Sequence, residues 1–89
     1  MNFKQKELAE QLFIDVKTKF PEIEFLGYSE HPENSNQIWV LVSEIEDEAR
    51  QAARRAFSAE KSTDILEDYG YLITMMPVGK SELLSNEAR

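Results

Sequence analysis

Residues 37–43, Gln37-Ile38-Trp39-Val40-Leu41-Val42-Ser43, decide the fold. This near-continuous apolar run is rich in β-forming residues, the pattern of a strand covered on both faces and therefore central in its sheet. Its apolar core, Ile38–Val42, is also the longest apolar run in the chain and is too short to cross a bilayer. Upstream, Ser29-Glu30-His31-Pro32-Glu33-Asn34-Ser35-Asn36 is dense in turn formers and predicts an exposed hairpin loop. Before it, Glu22–Tyr28 alternates, with Ile23 and Phe25 on one face and Glu22 and Glu24 on the other, joined by Leu26 and Tyr28. Gly27 inside this strand predicts a bulge or a close backbone approach.

Further out the period changes to that of helices. Over residues 3–20, Leu8, Leu12, Val16 and Phe20 recur every four residues, widened by Ala9 and Phe13, and Pro21 ends the helix. After the central strand, Ser43-Glu44-Ile45-Glu46 has capping-box spacing, and Glu44, Glu46, Asp47 and Glu48 suit a helix N-terminus. The following helix should bury a narrow face of Ala49, Ala52, Ala53, Ala56 and Phe57. At Ser62-Thr63-Asp64 it either continues through Ile65 and Leu66 or restarts with Thr63 or Asp64 as cap, and Gly70 ends it either way. Tyr71–Met76 reads as a third strand closed by Pro77, and Ser81-Glu82-Leu83-Leu84 could begin a last helical turn. The result is one α/β (α+β) domain over residues 1–89, in the order αββαβ, with a three-stranded mixed sheet and two main helices.

Composition narrows the function classes. An 89-residue chain with 42% apolar and 30% charged residues can fold as one domain, burying about 60–65% of its unfolded surface. It has no cysteine and a single histidine, so neither a thiolate site nor a multi-histidine metal set can form. A net charge of −7 repels phosphate backbones and anionic lipids, so neither nucleic acid nor membrane is an expected partner. The N-terminus is charged from Lys4 onward and does not read as a signal peptide, which makes the cytoplasm the expected location.

The sheet carries the strongest functional signal. If Ile38, Val40 and Val42 meet the helices, Trp39 and Leu41 point away, with Leu26, Tyr28, Leu72 and Met76 expected beside them. Two helices on one face would leave this set to be covered either by the C-terminal Leu83-Leu84 segment or by another chain, a second copy or a protein partner. One helix on each face would instead make a self-contained core.

The αββαβ order, with Phe25-Leu26-Gly27-Tyr28 before Gln37-Ile38-Trp39-Val40-Leu41-Val42, resembles the minimal nucleotidyltransferase domain of small prokaryotic toxin–antitoxin pairs. The resemblance implies a glycine turn for a nucleotide phosphate, two aspartates opening the second strand as Mg²⁺ ligands, and a third carboxylate on the next strand. Tyr28 stands in place of the turn's serine, and Gln37 and Trp39 in place of the aspartates. Tyr71-Leu72-Ile73-Thr74-Met75 carries no carboxylate. Gly27, Tyr28, Gln37 and Trp39 would then line a degenerate pocket with no catalytic residue, metal or cofactor.

Other groups have simpler readings. His31 reads as a solvated loop histidine, and the acidic run 44–48 lacks the alternating ligands of a calcium loop. Arg50, Arg54, Arg55 and Lys61 read as a solvated basic face, with Glu46 and Asp47 at pairing distance from Arg50. Met75 and Met76 read as core packing. The leading expectation is a non-enzymatic protein-interaction module. A small-molecule or nucleotide-binding regulator around Gly27 and the 29–36 loop comes second, and an enzyme with unrecognised carboxylates third.

Overall fold

The computed structural model describes residues 1–31 and 34–79, the side chains of 31 and 34–36 excepted. The side chain of His31 and the Ser81–Leu84 segment therefore lie outside the described residues. Helix α1 (Phe3–Lys19) is followed by strand β1 (Phe25–His31), strand β2 (Asn34–Ser43), helix α2 (Glu48–Tyr69) and strand β3 (Leu72–Val78). The sheet order is β1-β2-β3, with β1 antiparallel and β3 parallel to β2. The mixed sheet and the central place of β2 are as the apolar run 37–43 predicts. Both hairpin strands extend further into the 29–36 stretch than its turn-forming composition suggests.

Each helix begins on a side-chain cap. Asn2 and Gln5 form a reciprocal capping box: the Asn2 side chain accepts from the Gln5 N–H at 2.7 Å, and Gln5 Oε1 accepts from the Asn2 N–H at 2.9 Å. At α2 the cap is Asp47, which accepts from the Arg50 N–H at 2.9 Å, so the capping box read at Ser43 does not form. Ser43 instead pairs with Val78 in β3, and its hydroxyl accepts from the Glu24 N–H. Through Ser62-Thr63-Asp64, α2 runs unbroken and ends at Gly70, whose φ of +77° is the left-handed conformation glycine adopts at least cost.

Both helices pack against the same face of the sheet. Ile38, Val40 and Val42 of β2 and Ile73 and Met75 of β3 form the core with Leu8, Ala9, Leu12, Val16 and Phe20, joined by Ile23 and Ile45. Phe57 and Ile65 of α2 pack against that same cluster. The described residues measure 33 × 32 × 16 Å, and 16 Å is depth enough for one sheet and one helix layer.

Two sequence-based expectations fail here for physical reasons. The buried stripe of α2 is Arg54, Ser58 and Ser62, flanked by Phe57 and Ile65, whereas Ala49, Ala52, Ala53 and Ala56 are exposed. Burying a Phe or Ile is worth about 1.5–3 kcal/mol, and a methyl group far less, so the two large side chains orient the helix. The second failure concerns Tyr28. Leu26 is an extra residue between the pairs Phe25↔Val42 and Gly27↔Leu41. This bulge shifts the alternation, so Phe25 and Tyr28 fall on the helix-bearing face with ring centroids 4.9 Å apart, and Phe13 meets Phe25 at 5.6 Å. Gly27 makes the bulge with φ of +144°, outside the range of ordinary L residues.

Removing these local devices should register in urea unfolding. Asp47→Ala should lower stability by about 1 kcal/mol through the lost cap. Gly27→Ala should lower it by about 1–3 kcal/mol through backbone strain alone, because an added Cβ meets nothing within 4 Å. A Gly27→Ala protein as stable as the parent would show that the bulge carries no strain.

Candidate functional site

With both helices on one face, the described elements leave the other face of the sheet uncovered. The register pairs Gln37 with Leu72, Trp39 with Thr74, Leu41 with Met76, and Ser43 with Val78. Across the other edge of β2, Ser29 stands opposite Trp39 and Gly27 opposite Leu41. Trp39, the only tryptophan, therefore lies between two small residues in the register. Trp39, Leu41 and Leu72 are half-buried, and Met76 is 38% exposed. All of these open-face residues are uncharged, in a chain where 30% of residues carry charge.

Of the residues expected to form an interface, Trp39, Leu41, Leu72 and Met76 share this open face. Tyr28 is on the opposite side, half-buried against the core, with its hydroxyl pKa raised by that burial. Leu26 is the bulge residue and is 37% exposed. Thr74 belongs to the set and was missed, because pairing it with Trp39 requires the register between strands, which sequence period alone does not contain.

The pocket implied by the transferase resemblance is only partly gathered. Gly27, Gln37 and Trp39 lie on the open face and Tyr28 does not. Gly27 is paired within β1, which continues to His31, so it does not form a strand-ending turn. Among the described residues, no group of three or more acidic or histidine side chains is placed to hold a metal. None of the described helices is long and apolar enough to cross a membrane. The chain matches no protein-family model, no curated protein and no solved structure.

The basic residues of α2 do not form one face. Arg50 leaves the helix to grip Glu22, with Nη2 donating to Oε1 at 2.9 Å and Nε donating to Oε2, while its guanidinium lies 5.0 Å from the Phe20 ring centroid. It is thus bound to the segment before β1, rather than to Glu46 or Asp47 as helical spacing suggests. Lys61 lies 5.5 Å over the Phe57 ring. Arg55 is exposed, and Arg54 is buried to 1% exposure.

Arg54 and Arg55 border a groove of about 410 Å³ along the outer edge of β3 in the described sheet, where Gln37, Trp39, Thr74, Met75, Met76 and Pro77 complete the wall. Arg54 Nη1 donates to Ser58 Oγ at 3.1 Å, and its Nε has no hydrogen-bond partner. Desolvation, followed by the neighbouring charge of Arg55, lowers the Arg54 pKa.

The Arg50–Glu22 clamp has a pH signature. Chiefly through the Arg50 hydrogen bond, Glu22 is held down to about 2 from a reference value of 4.5. Because this carboxyl is more acidic in the folded state, its contribution is complete above about pH 4.5 and is lost as pH falls towards 2. The urea midpoint of Arg50→Gln should therefore lie below that of the parent at neutral pH and converge on it near pH 2. The gap should be small and shrink in about 1 M salt, because the pair is exposed. A gap independent of pH would show that Arg50 acts only through packing on Phe20.

Proposed function

We propose that this chain is a non-enzymatic protein-interaction module that pairs with a second copy of itself through the open sheet face. One observation carries the reading: the described face opposite the helices is uncharged, with Trp39, Leu41, Leu72 and Met76 set among the neutral residues Ser29, Gln37 and Thr74. Uncharged sheet surface centred on a tryptophan is the composition of a contact core. A basic protein partner would be matched by carboxylates, and this face has none among its described residues. Two chains of net charge −7 repel one another, so self-association needs a neutral contact surface, which the open face supplies.

The non-catalytic part of the proposal rests on Gln37 and Trp39, an amide and an indole where the transferase resemblance calls for metal-binding carboxylates. Sedimentation from about 1 to about 100 µM should show the mass rising from monomer to dimer, with Trp39 emission shifting to the blue. Trp39→Asp should stay monomeric over that range while keeping its helical and sheet signals. A parent protein that stays monomeric would overturn the pairing. Mg²⁺-dependent transfer of label from a nucleoside triphosphate would overturn the non-catalytic assignment.

A further inference from the structure

Arg54 is a cation in the wrong place for a structural residue. It is 1% exposed, its Nε has no partner, and its one hydrogen bond goes to a neutral serine. Buried charges are normally matched by an opposite charge, because leaving water costs far more than a single neutral hydrogen bond returns. Seventeen carboxylate side chains occur in this sequence, yet among the described residues none pairs with Arg54. The charge felt beside it is that of Arg55, which repels.

Where these two arginines lie, the surface is concave. Arg54, Arg55, Gln37, Thr74 and Trp39 border the same groove of about 410 Å³ along the edge of β3. A water molecule takes about 30 Å³, so this volume suits a small organic molecule better than a bare ion. Two guanidinium groups, an amide and a hydroxyl supply donors for an oxyanion, and the indole offers a flat apolar surface for a ring.

We propose that the groove between α2 and the edge of β3 binds a small ring-bearing oxyanion, a phosphate or carboxylate held by Arg54 and Arg55 with its ring against Trp39. Arg54 lies at the floor, where low exposure leaves its charge poorly screened, and Arg55 at the rim can reach round the ligand. The groove shares Gln37, Trp39 and Thr74 with the self-association face proposed above, but its anion contacts are Arg54 and Arg55 of α2, so it is read by anion-dependent stability at a concentration where the chain is monomeric rather than by mass.

Thermal unfolding of the full chain at constant ionic strength, with pyrophosphate, malonate, inorganic phosphate or adenosine monophosphate against a chloride control, tests it. The preferred anion, at about tenfold its dissociation constant, should raise Tm by about 5–10 °C. Pyrophosphate against malonate separates phosphate from carboxylate. A larger shift for the monophosphate than for inorganic phosphate, with quenching of Trp39 emission, would support the ring contact. Equal shifts with unchanged emission would overturn it. Arg54→Met should lose the anion-dependent shift while the ligand-free protein melts no lower than the parent, since an apolar side chain suits a buried position. If Arg54→Met does not fold, exposed Arg55→Gln carries the test and should weaken binding roughly fivefold. Anions that leave Tm at the chloride value, or variants that keep the parent's shift, would overturn the site.

Discussion

The structure depends on how β2 divides its side chains. Ile38, Val40 and Val42 are fully buried under the helices, while Gln37, Trp39 and Leu41 alternate to the other side. A chain of 89 residues has enough length for one helix layer over a three-stranded sheet, and both helices are spent on the same face. Burial of the even-numbered residues thus secures the fold and at the same time presents Trp39. Core and candidate interface are two faces of one strand, separated by a single residue of register.

The bulge at Leu26 shows how finely that division is set. Without the extra residue, strict alternation would turn Tyr28 away from Phe25. With it, Phe13, Phe25 and Tyr28 form an edge-to-face aromatic chain that extends the core beyond α1. Gly27 signalled a bulge in the sequence, but its consequence for Tyr28 follows only when the bulge is placed between Phe25 and Gly27. Element order, the central strand and the apolar positions of α1 were legible because each is a repeating pattern in a contiguous segment. The face of α2 was not. Its alanines form a tidy stripe, but the helix turns to bury Phe57 and Ile65, and this choice depends on the sheet beneath.

That turn has an electrostatic consequence. Placing Phe57 and Ile65 inward brings the 54-58-62 stripe to the sheet, and with it a guanidinium among serines. Ser58 and Ser62 are small enough for the long Arg54 side chain to lie along the helix, and Ser58 returns one hydrogen bond. Ser62 Oγ is itself buried without a hydrogen-bond partner. In the sequence, Arg54 stands in an ordinary-looking charged segment with Arg50, Arg55 and Lys61. Nothing in its spacing separates it from neighbours that pair with Glu22, face solvent or lie over an aromatic ring.

The net charge of −7 sharpens the contrast between the two surfaces. The open face around Trp39 is neutral, so repulsion between copies must be overcome by apolar area alone. The groove at β3 has the opposite problem, because the overall field of the chain repels the anions its local chemistry suits. Mobile ions screen that field over about 8 Å at physiological salt, whereas a guanidinium beneath the groove floor acts within a few ångströms and with little intervening water. A buried arginine is therefore a more effective anion holder on an acidic protein than several exposed ones, because proximity and low local polarisability outweigh the distant carboxylates. The desolvation that makes Arg54 costly in the empty groove is the same condition that would strengthen its hold on an oxyanion.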